Sequence, residues 1–217
     1  MSLIRVDDVA PQPWKNGGGV TRELLRLPRA GATEADDWSL RISVADIVAD
    51  GPFSPFPGVR RHFAVIDGAG VRLRWPDGRV RELAKKSGVF AFDGADAPHC
   101  ELIDGPTRDL NVMVRKGEVD YEVAELCCQE FPFASQDRPF GVFTARHVSF
   151  WGPRLDSDAW EREVPPQSLL WSEPGALSVW GARPLDPGAH GFPEKDGWLC
   201  LPLVFGILPK PPRTATP

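Results

Sequence analysis

The sequence predicts an all-β protein in which many short strands form a sandwich or a barrel. Several segments alternate apolar and polar residues, which is the pattern of a strand that buries one face. Glycine and proline, at 21 and 23 residues, are spread along the chain and mark turns about every eight to twelve residues. No long segment has the helical period of about 3.6 residues, so short strands account for the pattern best.

Composition and charge exclude several classes of function. The 217 residues carry a formal net charge of -5 with both signs interspersed, so the chain offers no basic face to nucleic acid. No apolar run approaches the roughly 20 residues that cross a bilayer, and Met1–Arg5 lacks the layout of a signal peptide. The four cysteines have no C-x-x-C spacing and are expected to be free thiols. We expect a cytoplasmic protein without a nucleic-acid or membrane partner.

The stretch Trp14–Leu24 is the most unusual part of the chain, because it places three consecutive glycines among polar side chains. Glycine loses much backbone entropy on folding and adds no side chain to a core, so the run needs a reason. Either the glycines let the backbone approach a ligand, or they form a tight turn that leads into a strand. Both interpretations stay open, whereas the spacing does not match a phosphate-binding loop.

Two strands are predicted next. Val20–Leu27 has a mixed pattern, although its central residues alone would also suit a helical turn. Trp38–Ala45 alternates strictly, with apolar residues on one face and Arg41 between two serines on the other. That polar face is either solvated or lines the interior of a barrel, where Arg41 would need an anion.

A stiff loop precedes the following strand. Asp50–Gly58 contains three prolines and two phenylalanines, and ordered loops of this kind often border binding sites. In the strand that follows, Arg60 and His62 share one face and Arg61 takes the other. Arginines are usually exposed, but the position directly after the loop favours a site role for one of this pair.

A second informative strand contains Asn111. Residues 67–103 have the pattern of a β-meander, and Asp109–Arg115 then places Asp109, Asn111, Met113 and Arg115 on one face. A buried amide without a partner costs roughly 1 to 3 kcal/mol, so an inward Asn111 requires a protein partner or a ligand. The alternative is that this polar face is in contact with water, and both interpretations stay open.

The chain divides into a first β unit over residues 1–117 that contains these motifs and a smaller second β unit over residues 118–208. The second unit is expected because short apolar segments continue to recur, while the sequence says least about its middle. Residues 209–217 are rich in proline and have no apolar periodicity, so they are predicted to be a disordered tail.

Motifs for metal and nucleophilic chemistry are missing from the sequence. The four histidines are scattered, and none has a second histidine near it. No G-x-S-x-G elbow is present, and no cysteine has a recognisable nucleophile context. We therefore expect no metal and no other cofactor, and the sequence nominates no catalytic residue.

Several separated motifs together resemble the HutD/Ves family. They are the stretch Trp14–Leu24, then Trp38-x-x-Arg41-x-Ser43, the loop Asp50–Gly58 with Arg60, and Asp104-Gly105-Pro106-x-x-Asp109-Leu110-Asn111-Val112-Met113-x-Arg115. These motifs occur in the family's order, and the resemblance covers residues 12–116.

The resemblance implies a cupin-type double-stranded β-barrel fold with two such units in one chain, a bicupin arrangement, and without the usual cupin metal ligands. Family members encoded with histidine-degradation genes are thought to bind a small metabolite such as urocanate or formylglutamate and to limit flux or induction. Others are linked to a cold response, and no enzymatic reaction is firmly attached to the family. The pocket residues implied by matching motif are Asn16, Thr21, Arg22, Glu23, Arg41, Arg60 and Asn111.

The leading hypothesis is a non-enzymatic protein that binds a small organic carboxylate. One arginine would fork onto the carboxylate, Asn16 and Asn111 would contact further polar atoms, and Met113 or Trp14 would pack on the apolar part. The candidate arginines are Arg22, Arg41, Arg60 and Arg61. Charge-assisted hydrogen bonds of roughly 1.5 to 3 kcal/mol each, less the cost of immobilisation, predict micromolar to millimolar affinity.

Two other hypotheses remain. In the first, the chain is a metal-free enzyme of an isomerase or hydrolase type, with Glu23 or His62 as general base beside an arginine. In the second, it is a scaffold that contacts another protein through exposed tryptophans of its C-terminal half. An open sheet edge, as such folds leave, would also accommodate a homodimer.

Overall fold

The computed structural model describes residues 1–29, 31, 37–117, 121–128, 139–152, 160–174, 181–185, 194–195 and 198–209. Within these ranges the chain forms β-strands and two 3-10 helices of one turn each, Val6–Asp8 and Lys85–Ser87. The prediction of an all-β protein is therefore confirmed. Of the predicted disordered tail, residues 210–217 lie outside the described residues. No helix in the described ranges is long and apolar enough to cross a membrane.

The strands of the first half follow the motifs of the sequence. They are β1 (Ser2–Arg5), β2 (Gln12–Pro13), β3 (Gly19–Pro28), β4 (Trp38–Ile47), β5 (Gly51–Pro52), β6 (Val59–Asp67), β7 (Val71–Arg74), β8 (Val80–Leu83), β9 (Phe90–Asp93), β10 (His99–Leu102) and β11 (Thr107–Arg115). Strictly alternating β4 and β11 are among the longest of them, as their sequence patterns predict.

The second half is also made of strands in the described ranges. They are β12 (Tyr121–Cys128), β13 (Phe140–Thr144), β14 (Val148–Gly152), β15 (Trp160–Val164), β16 (Ser168–Ser172), β17 (Gly181–Pro184), β18 (Glu194–Lys195) and β19 (Trp198–Pro209). Two tryptophans of this half, Trp160 and Trp171, are buried, so they are not part of an exposed surface that could bind another protein.

The strands pair antiparallel in four sheets. Sheet I has the order β2-β3-β4-β11-β6-β9, and sheet II has the order β5-β10-β7-β8. Sheet III has the order β1-β16-β13-β19-β12 with β18 beside β19, and sheet IV has the order β15-β14-β17. The pairings among described strands form open sheets, so neither a closed barrel nor the predicted two-barrel arrangement is established.

One face of sheet I packs against sheet III in a hydrophobic core that both halves of the chain share. Leu40, Ile42 and Val44 of β4 meet Phe143 of β13 and Phe205 of β19 there, and all of these side chains are buried. Strand β1 belongs by sequence to the first half but pairs with β16. Strand β11 ends at Arg115 in sheet I and β12 belongs to sheet III, while the two halves are joined by β1 and by this core.

The opposite face of sheet I meets sheet II. Phe63 and Val65 of β6 pack there with Phe53, Leu73 and Phe92 in a second cluster. This contact closes one end of the space between the two sheets. The other end of the same face carries polar side chains, and it forms the floor of the cavity described below.

The three glycines of residues 17–19 form the turn that leads into β3. Gly17 has a φ of 71°, which lies in the left-handed region, and its amide donates to the Trp14 carbonyl oxygen at 3.0 Å. A Cβ atom on Gly19 would lie 2.4 Å from the backbone oxygen of Asp46 on β4. Turn geometry explains Gly17, and close strand packing explains Gly19. Both findings favour the interpretation of the three glycines as a tight turn that leads into a strand.

A matched pair of glycine substitutions tests this account of the turn. Gly19→Ala is expected to lower the free energy of unfolding by about 1 to 3 kcal/mol, because the new methyl group overlaps backbone that cannot move away. Gly17→Asn is expected to cost less than about 1 kcal/mol, since asparagine tolerates the left-handed region and open space surrounds that position. Urea unfolding of both variants measures the difference, and equal losses would contradict the packing argument.

Candidate functional site

The polar face of sheet I is the floor of a cavity with a volume of about 640 Å³. Its walls come from the segment Gln12–Asn16, which includes β2, and from the segment Pro52–Phe56, which is part of the stiff loop. Both segments connect strands at the same side of sheet I. The glycine turn and the proline-rich loop therefore position the two walls, and the strands position the floor.

Strand register places the floor residues in rows. In the first row, Met113 of β11 lies between its two Cα partners, Arg41 of β4 and Arg61 of β6. In the next row Asn111 lies between Ser43 and Phe63. In the third row Asp109 lies between Ala45 and Val65. Cross-strand neighbours share a face, so side chains that are far apart in sequence point into one space.

Arg61 is the buried cation of the cavity, with only 4% of its surface exposed. Its Cζ atom lies 4.7, 5.2 and 5.9 Å from the ring centres of Phe53, Phe92 and Phe56. Within the described residues its guanidinium group forms neither a hydrogen bond nor an ion pair, and its Nε atom is fully enclosed. Burial lowers the pKa of Arg61 to about 10, partly offset by the charge of Asp109, so the group is cationic at neutral pH.

Asp109 is the buried acid of the cavity and is 1% exposed. Neither carboxylate oxygen has a hydrogen-bond partner in the described part of the chain. Burial raises the pKa of Asp109 to about 8, and the opposing attraction of Arg61 is too weak to cancel this effect. The carboxyl group is therefore largely protonated at neutral pH, which is unusual for an aspartate.

Asn111 and Met113 continue the same face of β11. The Oδ1 atom of Asn111 is buried and has no partner among the described residues, while its backbone oxygen accepts a hydrogen bond from Ser43 Oγ at 3.5 Å. Met113 is buried beside Trp38 and Val59. The structure thus places the Asn111 side chain in the interior, so the interpretation that this face of β11 is fully solvated is wrong.

Trp14, Asn16 and Thr21 line the cavity from the glycine turn and β3. The Trp14 Nε1 atom donates to Thr21 Oγ1 at 2.7 Å, which fixes the indole against the start of β3. The Asn16 Oδ1 atom accepts from the Gly18 amide at 3.1 Å, so this side chain also holds the turn. These contacts fix the orientation of the wall before any ligand binds.

Arg41 has an anion within the protein. Its Nε atom donates to Glu23 Oε2 at 2.5 Å, and Arg26 donates to both oxygens of Glu23 at 2.8 Å. Burial raises the pKa of Glu23, but the hydrogen bonds from Arg26 and Arg41 outweigh that effect and lower it. Glu23 is not among the residues that line the cavity, and its single negative charge is shared by two arginines, so the cluster of Glu23, Arg26 and Arg41 keeps a net positive charge. The two ion pairs make Glu23 a weak candidate for a general base.

Three of the predicted residues lie elsewhere. Arg22 points to the opposite face of sheet I, where its Nη1 atom lies 2.6 Å from Asp46 Oδ2. Arg60 is exposed and, like His62, is paired in register with residues of the face that packs toward sheet III. Arg22 and Arg60 therefore do not line the cavity, and His62 does not face it. Alternation along β3 and β6 decides this outcome, because adjacent residues on a strand take opposite faces.

The sequence interpretation did not nominate Asp109, although it assigned this residue to the same face as Asn111. Asp109 lies two residues before Asn111 on the same strand, and this spacing was the signal that could have identified it as a cavity residue. The sequence pattern also does not predict that the loop residues Phe53 and Phe56 contact the guanidinium group of Arg61. Among the described residues, no three His, Cys, Asp or Glu side chains are grouped as metal ligands would be, and no chemical step through a metal is derived for this cavity.

These features define an all-β protein with a polar, partly aromatic cavity of the size that small metabolites need. The fold is cupin-like by comparison with solved structures: an oxalate decarboxylase variant from Bacillus subtilis aligns over 96% of this chain and 77% of its own, at 10% identity and a TM-score of 0.55. At that identity the likeness concerns the fold alone.

The family is more specific than the fold. The family model HutD matches residues 6–176, and the chain belongs to the HutD family. HutD from Pseudomonas fluorescens SBW25 is 26% identical in sequence, with a TM-score of 0.72 over 97% of this chain and 99% of that one. The resemblance inferred from the motifs is thereby confirmed.

Curated relatives agree with this assignment. An uncharacterised 21.2 kDa protein from the hutC 3′ region of Pseudomonas putida is 38% identical over 52% of this chain and 57% of its own length. Protein Ves of Cronobacter sakazakii is 34% identical over 80% of this chain and 88% of its own. The chain spans little more than half the length of the first relatives that it matches, including protein Ves of Citrobacter koseri at 52%.

The buried acid predicts a pH dependence of stability. Asp109 in the unfolded chain ionises near pH 4, roughly its ordinary value, whereas the folded group ionises at about pH 8. The folded state binds more protons between these values, so this contribution to the free energy of unfolding falls as pH rises through the interval and is constant above it. Urea unfolding at about pH 5 and about pH 8 should therefore show a smaller decline for Asp109→Asn than for the wild type.

Asp77→Asn is the control for this measurement. Hydrogen bonds from the backbone amide and the guanidinium group of Arg79 lower the pKa of Asp77, so this group titrates below the interval, and it is not among the charges that act on Asp109. The decline of Asp77→Asn between the two pH values should match that of the wild type. An equal decline in the free energy of unfolding for Asp109→Asn and the wild type would contradict the assignment of a protonated Asp109.

Proposed function

We propose that the cavity binds a small organic carboxylate without changing it chemically, and that urocanate and formylglutamate are the candidate ligands. The single observation that supports this most strongly is Arg61, a buried cation that faces the cavity and has no anionic partner within the described chain. A buried charge is costly unless it is paired, so this site favours an anion from outside.

The geometry of Arg61 suits a planar carboxylate. A guanidinium group offers donors in a fixed fork that matches two carboxylate oxygens. The aromatic rings of Phe53, Phe56 and Phe92 restrict the guanidinium group and exclude water around it. Arg41 contributes less to this selection, because its Nε atom already donates to Glu23. Of the arginines that were candidates on the sequence, Arg61 is the one we assign to the carboxylate.

The remaining lining provides contacts for the rest of a metabolite. Asn111 presents a buried oxygen without a partner, which can accept a hydrogen bond from an amide or imidazole N–H. Met113, Trp14 and Phe53 supply apolar contact area. A few charge-assisted and neutral hydrogen bonds of this kind, less the cost of immobilisation, give micromolar to millimolar affinity, as a metabolite sensor requires.

Membership of the HutD family associates the chain with histidine utilisation, and we propose that carboxylate binding modulates that pathway. The P. putida relative is named for the hutC 3′ region, which supports this association. Urocanate and formylglutamate both carry carboxylates and N–H donors, the two groups for which Arg61 and Asn111 provide partners.

One observation favours a second candidate function, a metal-free isomerase or hydrolase. The raised pKa of Asp109 is a property of general acids and bases, and this carboxyl group faces the cavity. Neither Glu23 nor His62 supports the enzyme hypothesis, since Glu23 forms ion pairs with two arginines and His62 faces away from the cavity. Asp109 replaces both as the candidate.

Isothermal titration calorimetry with urocanate and formylglutamate tests the binding proposal. Arg61→Gln should weaken binding at least about tenfold, because at least one charge-assisted hydrogen bond of about 1.5 to 3 kcal/mol is lost. Arg60→Gln is the matched control: it removes the adjacent arginine, which is exposed and faces away, and should leave affinity within about twofold. Absence of binding heat for both acids with the wild type, or equal affinity of Arg61→Gln and wild type, would reject the proposal.

Incubation of the protein with each acid, followed by chromatography, separates the two functions. We expect both compounds to remain intact, since the binding proposal requires no reaction. Consumption of either acid by the wild type, together with loss of that consumption in Asp109→Asn, would favour the enzyme.

A further inference from the structure

Asp109 is the one residue of the cavity floor whose presence the binding proposal does not yet explain. Its carboxyl group is fully buried, faces the same space as Arg61, and has two oxygens without hydrogen-bond partners among the described residues. An aspartate next to a site for an anion would repel the ligand if it were ionised. The arrangement therefore requires an explanation in terms of its protonation.

We propose that Asp109 is a specificity-determining residue that acts as an uncharged acid and donates a hydrogen bond from its O–H group to an oxygen of the bound carboxylate ligand. This inference rests on the proposed function of the cavity and adds that the ligand binds the protonated form of Asp109, so binding takes up a proton at any pH where the free site is ionised. The proton stays on Asp109, and the ligand remains an anion paired with Arg61. No bond of the ligand is made or broken.

The absence of an ion pair between Asp109 and Arg61 supports this role. The two groups influence each other electrostatically, yet no hydrogen bond or salt bridge joins them. If Arg61 were the permanent counter-ion of Asp109, the two side chains would be in contact, and Arg61 would have no charge left for an anion. The two groups are instead not bonded to each other, and both residues line the cavity in which we propose that the ligand binds.

Protonation also follows from the surroundings of the carboxyl group. The charged and titratable groups that act on it are Arg61 of β6 and, from the other side of sheet I, Asp46 of β4, while Cys100 of β10 is influenced by it in turn. Burial raises the pKa of Cys100 to about 12, so the thiol stays neutral. Arg41 bears on Arg61 but is paired with Glu23. Arg61 alone opposes the cost of burial, and the ionised form lacks hydrogen bonds that would stabilise it.

A neutral acid at this position selects for the charge state of the ligand. A carboxylate offers lone pairs to the O–H donor and negative charge to Arg61, so both groups are satisfied at once. A ligand that presents an ammonium or another cation would face Arg61 and gain nothing from a neutral acid. The cavity should thus discriminate against amines and amino acids with a free ammonium group in favour of anions whose nitrogen is acylated or aromatic.

Proton uptake on binding is the direct test, and formylglutamate is the suitable probe. Its two carboxyl groups have pKa values of about 4, so the compound does not titrate between about pH 6 and about pH 9. The imidazole group of urocanate does titrate near the lower end of this range. Calorimetry at about pH 9 in two buffers of different ionisation enthalpy should show uptake approaching one proton per ligand. Affinity should fall towards tenfold per pH unit above the pKa of Asp109, and it should be nearly constant well below that pKa.

Two substitutions complete the experiment. Asp109→Asn keeps the shape and a hydrogen-bond donor but cannot ionise, so it should still bind at about pH 6, and its affinity should stay constant to about pH 9. Asp67→Asn removes an exposed acid at the end of β6 and should keep the pH dependence of the wild type. A thermal melt of each variant establishes that it is folded before titration.

Three outcomes are distinguishable. Proton uptake with a pH-independent Asp109→Asn supports the inference. Binding without proton exchange, or loss of binding in Asp109→Asn at about pH 6, overturns it and assigns Asp109 as an ionised acceptor, while the proposed function stands. Absence of any formylglutamate or urocanate binding at about pH 6 overturns the proposed function itself and the inference with it.

Discussion

Buried polar groups without protein partners are the constraint on which the account of this molecule depends. Arg61, Asp109 and Asn111 lie on one face of sheet I, and each has a buried atom that makes no hydrogen bond within the described chain. Each such atom costs free energy in the folded protein, and few remain in native structures without a reason. A ligand that pairs with all three would recover this cost, and this is the observation behind the proposal that the cavity binds a small molecule.

The two faces of sheet I separate stability from recognition. On one face, the alternating apolar residues of β4 and β11 pack in the core shared with sheet III, and this packing stabilises the two strands. The other face then presents polar residues at fixed spacing to the cavity. The loop Asp50–Gly58 and the glycine turn form the two walls of the cavity over this face, and the turn is bonded to the backbone just before the loop. A rigid floor with two ordered walls limits the rearrangement needed on binding.

Much of this arrangement follows from local sequence rules. Strict alternation predicted the strands β4 and β11, and it placed Arg41 and Asn111 on the side that the structure shows. The choice among arginines could not be made in this way, because it depends on contacts between distant segments. A bulge in β3 brings Glu23 and Arg26 to the same face, so Glu23 forms ion pairs with both Arg26 and Arg41. The isolation of Arg61 and the protonation of Asp109 likewise arise from burial by several strands, which no single segment encodes.

The most direct test of the central claim is a crystal structure of the protein with formylglutamate. The account predicts that a ligand carboxylate lies within hydrogen-bond distance of the terminal nitrogens of Arg61, and that Asp109 and Asn111 each contact the ligand inside the cavity. Ordered water that satisfies these three side chains, with the ligand absent from the cavity or bound elsewhere on the surface, would contradict it.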